Sequence, residues 1–245
     1  MLPRFYAPDL DPELASVSLP GDEARHLTRA LRLGAGAEVT VFNGRGVEFR
    51  AVVEATGRET ATVRLLEPMA GPPAPSASIV VVQAVLKGSS MDDAVRDATM
   101  MGADAIAPVL TAHVDIKVSL IMRPETAERW RRVALASVKQ CRRTTLPEIH
   151  PPRKLAEWLA TPFVPLRLIF VEPSAACAPR SVASLQREAA PGQAAVLLGP
   201  EGGWDESEIR SAVEHGCVPV QIGPLTLRAE TMPVAALAAL TAIWQ

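Results

Sequence analysis

The sequence predicts an α/β protein, in which a parallel sheet covered by helices follows a small β-rich domain. After residue 78, short apolar runs alternate with helical patterns, which is typical of parallel sheets with helices on both faces. Before residue 70, apolar and polar side chains alternate in the manner of β-strands. Between these parts the chain is rich in proline, alanine and glycine, which predicts a linker. The predicted division is a first domain at 1–70, a linker at 71–78 and a second domain at 79–245.

The first domain is built from local patterns that predict one helix and several strands. Asn43-Gly44 is a dipeptide typical of hairpins, and it joins the first two of these strands. The elements are a helix over 22–33, which Gly34 ends, and strands over 39–42, 47–53 and 60–65. This makes a compact domain of about seventy residues, within the usual size range.

The second domain begins with a predicted strand over 79–86 and a helix that Ser90 caps and Gly102 ends. The elements that follow are strand 105–110, helix 124–140, strand 166–172, helix 180–190, strand 194–198, helix 206–214 and strand 218–222. A last helix over 234–244 is apolar nearly all round, and such a helix is normally buried. Both the core of the monomer and the face of a second subunit are possible partners for it.

The amino-acid composition excludes several classes of protein. Apolar residues make up 48% of the chain, enough for a folded core, and a net charge of −2 means that any RNA-binding surface must be local. The three cysteines are far apart and form no CxxC pair, which argues against a zinc site or a disulfide framework. No apolar run is long enough to span a bilayer, and the first residues lack an apolar signal core. We therefore expect a cytoplasmic protein without a membrane or metal partner.

Positive charge is concentrated between residues 117 and 143, where eight bases and two acids give a local net charge of +6. A solvated helix face can explain such a run, but the excess is one-sided and ends in Arg142-Arg143, which favours contact with phosphate. Arginines of the first domain are further candidates for RNA contact, namely Arg4, Arg25, Arg29, Arg32 and Arg45.

Two glycine-proline turns follow neighbouring strands of the predicted sheet. The first is Gly199-Pro200-Glu201-Gly202-Gly203 and the second is Gly223-Pro224. Turn chemistry with Asp205 as a helix cap explains the first turn alone. Two further interpretations compete, a phosphate at the helix N-terminus and a flat ring held by backbone groups. The absence of the Walker and GxGxxG patterns argues against the phosphate. Two such turns at strand ends predict one shared pocket, beside Glu201, Arg228 and Glu230.

These motifs resemble a known family. The sequence is similar to the RsmE-type methyltransferases of small-subunit ribosomal RNA, which belong to the SPOUT superfamily. The similar segments near the C-terminus are 198–203, 222–224 and 227–231, and those upstream are Lys87-Gly88, Met91-Asp92, 26–32 and 42–46. The resemblance covers nearly the whole chain, in order.

The resemblance implies a parallel sheet with a C-terminal trefoil knot, preceded by a small PUA-like β-barrel domain. It also implies a homodimer that binds S-adenosylmethionine and methylates N3 of one uridine in the ribosomal RNA of the small subunit. The implied cofactor-binding residues are Leu198, Gly199, Glu201, Gly202, Gly203, Ile222, Gly223, Leu225, Leu227 and Arg228. The residues expected to contact RNA are Arg4, Arg29, Arg32, Arg45, Arg142 and Arg143.

Uracil must lose its N3 proton before N3 can accept a methyl group. Either a base takes the proton, or a cation stabilises the anion that forms. Our hypothesis makes Arg228 and Glu230 the catalytic residues: Arg228 stabilises the uracil oxygens or the anion, and Glu230 takes the proton or orients Arg228. The chain departs from the family pattern at 97–102, 139–143 and 228–232, and by the resemblance the first two segments concern the substrate-facing side. The alternatives are a SPOUT methyltransferase acting on another RNA, and a non-catalytic ribosome-assembly factor that binds RNA.

Overall fold

The computed structural model describes residues 2–73, 75–114, 116–162 and 166–244. Across these ranges, no helix has both the length and the apolar character needed to cross a membrane. The chain divides into two compact units, the first formed by Met1–Pro73 with Val138–Leu146, and the second by Ala74–Ser137 with Pro147–Gln245. The position of Val138–Leu146 in the first unit was not predicted from the sequence. The predicted domain and linker boundaries stay a prediction.

The first unit contains a five-stranded sheet that curls round its own core. Its strands are β1 (Arg4–Tyr6), β2 (Ser16–Leu19), β3 (Glu38–Phe42), β4 (Glu48–Thr56) and β5 (Ala61–Pro68), in the order β1-β3-β4-β5-β2. All pairs are antiparallel except β1 with β3. The Asn43-Gly44 hairpin is confirmed, because β3 and β4 pair and Asn43 Oδ1 accepts hydrogen bonds from the amides of Arg45 and Val47. The helix predicted over 22–33 is shorter: α1 spans Gly21–Arg25 and continues as a π-helical turn at His26–Ala30.

The second unit contains an eight-stranded sheet in which all described pairs are parallel. Its strands are β6 (Ser78–Ala84), β7 (Ala105–Leu110), β8 (Glu148–Ile149), β9 (Arg153–Lys154), β10 (Leu166–Phe170), β11 (Arg180–Ser181), β12 (Gln193–Leu198) and β13 (Cys217–Gln221). They are ordered β11-β13-β10-β12-β6-β7-β8, and β9 also pairs with β7. The helices are α2 (Ser90–Met100), α3 (Val118–Ile121), α4 (Pro124–Cys141), α5 (Leu155–Leu159), α6 (Glu206–Glu214) and α7 (Met232–Trp244).

Helices cover both faces of this sheet, as predicted. Alternate residues of each strand point to opposite faces. Val81 and Val196 pack into one core with residues of α2 and α7, whereas Val82 and Leu197 pack into another with residues of α5 and α6. The α/β class is therefore confirmed, and the trefoil knot stays a prediction.

The helix predicted over 180–190 is wrong. This stretch forms the short strand β11 and then a 3₁₀ helix at Val182–Arg187. Val182 and Leu185 are its buried residues, and their spacing of three matches one 3₁₀ turn, in which side chains at i and i+3 are aligned. Pro191 and Gly192 follow soon after, so the segment cannot extend into a regular helix.

Candidate functional site

The loops that follow parallel strands meet at the carboxyl edge of the second unit's sheet and enclose a cavity of about 430 Å³. Its lining comes from the segments after β10, β12 and β13 and from the first residues of α2 and α7. Such an edge is where open α/β sheets bind ligands, and the volume is in the range of small-molecule sites. We call this the main cavity.

The loop 199–205 forms one wall of the main cavity and is fixed by several hydrogen bonds. Its turn is closed by a hydrogen bond from the Gly203 amide to the Pro200 carbonyl, at 3.0 Å. Trp204 Nε1 donates to the Phe170 carbonyl at 2.9 Å, which holds the loop against the neighbouring strand β10. Asp205 caps α6 in a capping box with Glu208, as the sequence predicted for Asp205. The hydrogen bonds from Ser207 lower the pKa of Asp205, so this carboxyl group is ionised at neutral pH.

Two glycines of this loop allow other groups to approach the backbone closely. Gly203 has a φ of +72°, and a Cβ there would lie 2.7 Å from Glu172 Oε1. A Cβ at Gly199 would lie 3.1 Å from Nε1 of Trp204. The glycines are thus needed for the path of the loop and for the positions of Glu172 and Trp204.

Most of the predicted cofactor-binding residues come together at the main cavity. Those that line it are Gly199, Glu201, Gly203, Ile222, Gly223, Leu225, Leu227 and Arg228. Leu198 does not line it, because it is a buried core residue of β12, and Gly202 lines a neighbouring cavity instead. Sequence reasoning missed Glu172 and Trp204, which also line the main cavity. Glu172 is the last residue of the predicted strand 166–172, and the rule that sites lie at the carboxyl ends of strands could have found it.

The two predicted catalytic residues are neighbours at the main cavity. Arg228 Nη1 lies 3.8 Å from Glu230 Oε1, and the Arg228 side chain is 86% exposed whereas that of Glu230 is 25% exposed. The carboxylate sits in a 3₁₀ turn at Ala229–Thr231. This arrangement leaves the guanidinium available to a bound molecule while the carboxylate restricts its movement.

Glu201 lines the main cavity, and its carboxylate also joins two loops, while its contact with the cofactor stays a prediction. Its Oε1 accepts a hydrogen bond from the Lys87 amide at 2.9 Å, so it ties the 199–205 loop to the loop after β6. It also lines the main cavity and the neighbouring one. Any contribution to cofactor binding would come from its other oxygen.

The structure corrects the prediction that Arg4 contacts RNA, because Arg4 is buried. The Arg4 side chain is 4% exposed, and its Nε and Nη2 donate to the two carboxylate oxygens of the buried Glu48 at 2.9 and 3.0 Å. Nη1 also donates to the carbonyl of Val138 at 2.7 Å, and Nη2 to that of Arg143 at 2.9 Å. A guanidinium held by four such bonds inside the first unit cannot reach a phosphate, so Arg4 is a structural residue.

The other predicted RNA-contacting arginines lie in the same unit, because 138–146 belongs to it. Arg29, Arg32 and Arg45 are exposed, and Arg142 is half-buried. Arg32 and Arg142 have positive φ values of 55° and 66°, which non-glycine residues rarely adopt. The direct role of these arginines in RNA binding stays a prediction.

The basic segment 117–143 carries less free charge than its composition indicates. Arg129 pairs with Asp92 and Arg131 with Glu128. Lys139 is bonded at 2.8 Å to both oxygens of the buried Glu23. Part of the predicted positive surface is therefore neutralised by the protein itself.

The cysteines are not part of the site. All three are free thiols, and none lines the main cavity. Burial raises the pKa of the Cys217 thiol to about 11, so it is protonated and unreactive at neutral pH. In the described ranges, no group of three or more histidine, cysteine or acidic side chains is placed to hold a metal ion.

Comparison with known proteins identifies the family. Residues 72–241 match the family model of an RNA methyltransferase domain, and residues 19–66 match that of an RNA methyltransferase PUA domain. The chain belongs to this RNA methyltransferase family. A relative from Synechocystis, ribosomal RNA small subunit methyltransferase E, is 31% identical over 94% of this chain and 74% of its own. The protein of the same name from Mycobacterium bovis is 30% identical over 98% of this chain and 92% of its own.

Solved structures show the same architecture as this RNA methyltransferase. The ribosomal RNA small subunit methyltransferase E of Neisseria gonorrhoeae, bound to S-adenosylmethionine, superposes with a TM-score of 0.88 at 28% identity, over 100% of this chain and 98% of its own. A Legionella pneumophila methyltransferase in complex with S-adenosylmethionine gives a TM-score of 0.90 at 26% identity, over 99% and 98% of the two chains. The SPOUT-type fold and the PUA-like domain implied by the sequence are thus confirmed.

Proposed function

We propose that this RNA methyltransferase transfers a methyl group from S-adenosylmethionine to N3 of one uridine in the ribosomal RNA of the small subunit. The observation that carries the proposal is the main cavity, which two glycine turns build at the carboxyl ends of β12 and β13. The full-length relatives named as small-subunit methyltransferases support the choice of RNA. Such a target places the reaction in the cytoplasm.

The residues of the main cavity fit S-adenosylmethionine. The exposed apolar side chains of Leu225 and Leu227 offer a surface for the adenine ring, and the glycine turns offer backbone groups. The carboxylates of Glu172 and Glu230 complement the positive charge of a sulfonium ligand. S-adenosylmethionine supplies an activated methyl group, so the protein's task is to bind, orient and stabilise charge.

Gly203→Ala is expected to weaken binding of S-adenosylmethionine by roughly tenfold, the equivalent of about 1.4 kcal/mol. A side chain at φ +72° is strained, and its methyl group displaces the Glu172 carboxylate that lines the cavity. Isothermal titration calorimetry measures the change. Gly216→Ala is the matched control, because Gly216 has a φ of +82° but no atom within 4 Å of its would-be Cβ. Equal losses in both variants would show that backbone strain, and not Glu172, is responsible.

In this proposal, Arg228 stabilises the negative charge that develops on uracil as N3 loses its proton. Glu230 holds Arg228 in place, which agrees with the 3.8 Å pair and with the greater burial of the carboxylate. N3 lies on the Watson–Crick edge of uracil, so the target base must be unpaired and swung out of the RNA. An exposed guanidinium beside the main cavity can contact such a base.

The PUA-like domain is proposed to bind the RNA, through Arg29 and Arg32 first. Both side chains are exposed, and Arg32 keeps its position despite an unfavourable φ, which agrees with a functional requirement. Arg45, Arg142 and Arg143 of the same unit would extend this path.

Replacing Arg29 and Arg32 together with alanine is expected to reduce the salt dependence of RNA binding. Each lost phosphate contact lowers the slope of log K against log salt by about 0.7–0.9, so two contacts change it by roughly 1.4–1.8. Affinity for a fragment of small-subunit RNA, measured across a salt series, tests this. Arg64→Ala, which removes an exposed arginine already paired with Glu54, serves as the control. If the slope of log K against log salt equals that of the unchanged protein, Arg29 and Arg32 do not contact the RNA phosphates and the RNA binds at another surface.

The enzyme is proposed to act as a homodimer, with α7 at the interface. Leu237 and Leu240 face the core of the second unit, whereas Val234, Ala238 and Ala242 are exposed along the opposite side. The exposed stripe is apolar and its side chains are small, which suits close packing against a second copy of the helix.

The reaction is tested by mass mapping of methylated uridine in small-subunit RNA, with and without this protein. A single N3-methyluridine that depends on the protein is the expected result. Modification of another RNA would favour the alternative SPOUT enzyme, and binding of RNA without S-adenosylmethionine binding would favour the non-catalytic assembly factor.

A further inference from the structure

The peptide bond between Gly203 and Trp204 forms part of the wall of the main cavity, because both residues line it. The carbonyl oxygen of Gly203 lies 3.0 Å from Nδ1 of His113, in the loop that follows β7. A carbonyl oxygen can only accept a hydrogen bond, so Nδ1 carries the hydrogen and donates it. The neutral ring and the imidazolium ion can both carry that hydrogen, and the bond therefore does not depend on the charge of the ring.

The hydrogen bond from His113 fixes the direction in which the Trp204 amide points. In a trans peptide, the carbonyl group and the N–H group point in opposite directions. His113 lines the neighbouring cavity together with Gly202 and does not line the main cavity. With the Gly203 carbonyl turned toward His113, the N–H of Trp204 is turned to the opposite side, toward the main cavity. Within the described residues this amide has no hydrogen-bond partner, so it is a donor available to a molecule in the main cavity.

This peptide needs a hydrogen bond from another loop to keep its orientation. Gly203 has a φ of +72°, in the region that glycine adopts without a steric penalty. The same freedom would allow the Gly203–Trp204 peptide to rotate and present its carbonyl oxygen to the main cavity. A carbonyl oxygen in that place would repel the acceptor atoms of a ligand and could not donate to them. The bond from His113 opposes this rotation.

His113 is itself held in place by two further features. The amide of the preceding residue, Ala112, donates to Oε1 of Glu208 at 2.8 Å, and Glu208 belongs to the first turn of α6. A Cβ at Gly202 would lie 3.1 Å from Cβ of His113, so a side chain at position 202 would push His113 away. The glycine at 202 therefore leaves room for His113, although Gly202 does not line the main cavity.

We propose that His113 is a positioning residue for cofactor binding, which holds the Trp204 amide toward the main cavity as a hydrogen-bond donor to S-adenosylmethionine. This deepens the proposed function and rests on it, since the ligand is the same. The adenine ring nitrogens and the carboxylate of S-adenosylmethionine are acceptors of the kind that a backbone N–H recognises in a ligand site. His113 acts through the loop, does not touch the ligand and takes no part in proton transfer.

Two variants at position 113 separate the hydrogen bond from the volume of the imidazole. His113→Leu keeps most of the volume but cannot donate, whereas the amide of His113→Asn can still donate to the Gly203 carbonyl. We expect the Kd of S-adenosylmethionine, measured by calorimetry, to rise roughly five- to tenfold in His113→Leu, the loss of about one hydrogen bond. The Kd of His113→Asn should stay close to that of the unchanged protein. The KM for the cofactor should rise with the Kd, while the single-turnover rate at saturating cofactor stays unchanged, because the bond is present before and during methyl transfer.

The peptide itself can be observed by NMR, because Gly203–Trp204 is the only Gly-Trp pair in the sequence. Carbon-13 at the glycine carbonyls and nitrogen-15 at the tryptophan amides therefore select one amide signal, that of this peptide bond. The signal of its proton should move downfield when S-adenosylmethionine is added to the unchanged protein or to His113→Asn, as expected for an amide that gains a hydrogen bond. In His113→Leu the signal should be displaced before the addition, and the cofactor should move it less.

His215→Leu is the matched control. Nδ1 of His215 likewise bonds to a backbone carbonyl, that of Ser211 at 2.8 Å, but this histidine lines neither cavity, and its replacement should leave the Kd unchanged. An amide signal that the cofactor does not move in the unchanged protein, or equal Kd values for His113→Leu and the unchanged protein, would overturn the proposal and leave the proposed function standing. Equal losses in His113→Leu and His113→Asn would also overturn it, since the shape of the ring and not its hydrogen bond would then be responsible. If the unchanged protein bound no S-adenosylmethionine, the proposed function would fail, and the role of His113 with it.

Discussion

Arg228→Ala should slow single-turnover methylation of the small subunit by about 10²–10³-fold, as expected for loss of a group that stabilises developing charge. The Arg228 side chain is 86% exposed beside the main cavity, so its removal leaves the fold intact. Affinity for S-adenosylmethionine should change far less than the rate. The measurement is methyl transfer with enzyme and cofactor in excess over small subunits, together with calorimetry of cofactor binding.

The control is Arg210→Ala, which removes another exposed arginine of the second unit that does not line the main cavity. It should leave the single-turnover rate unchanged. A comparable loss in both variants would indicate a general electrostatic effect on RNA binding and would contradict the role given to Arg228.

Glu230→Gln separates the two roles that the sequence left open for this carboxylate. If Glu230 only orients Arg228, the rate should fall by less than about fivefold, because an ion pair at 3.8 Å with an exposed guanidinium contributes no more than about 1 kcal/mol. A proton acceptor would instead account for 10²–10⁴-fold. The first outcome would give Glu230 a positioning role only, and the second would make Glu230 the proton acceptor.

The main cavity was predictable because its parts follow local rules. Glycine-proline turns after apolar runs mark strand ends, and parallel strands bring such ends to one edge. Asp205 could be identified as a cap from its position before an amphipathic helix. The bond between Glu201 and the Lys87 amide could not be identified in the same way, because the two residues are 114 positions apart in the chain. Nothing in the local sequence of Glu201 indicates that contact.

The first unit shows the same limit of sequence reasoning. Its hairpin followed from Asn43-Gly44, whereas the docking of 138–146 depends on contacts between distant segments. Arg4 was a candidate for RNA contact because it is one of the arginines of the first domain. Its burial and its bond to the Val138 carbonyl, 134 residues away, could only be found in the folded chain.

Arg4→Met is expected to destabilise the first unit by about 3–5 kcal/mol, which is the usual result of removing one partner of a buried ion pair. Glu48 would remain buried without its countercharge, and the carbonyls of Val138 and Arg143 would each lose a donor. The single tyrosine of the chain, Tyr6, lies in β1 of this unit, so fluorotyrosine incorporated there gives one NMR signal. The intensity of the folded signal along a urea series measures the free energy of unfolding.

Arg64→Met is the matched control, because it breaks an exposed pair with Glu54 in the same sheet and should cost no more than about 1 kcal/mol. Adding Glu48→Leu to Arg4→Met should recover part of the lost stability, since an apolar partner removes the buried charge. If the slope of log K against log salt for RNA binding is unchanged in the folded Arg4→Met protein, the result would agree with a structural role for Arg4. If Arg4→Met instead left stability intact and lowered the slope, Arg4 would be an RNA contact and its buried pair with Glu48 would not persist in solution.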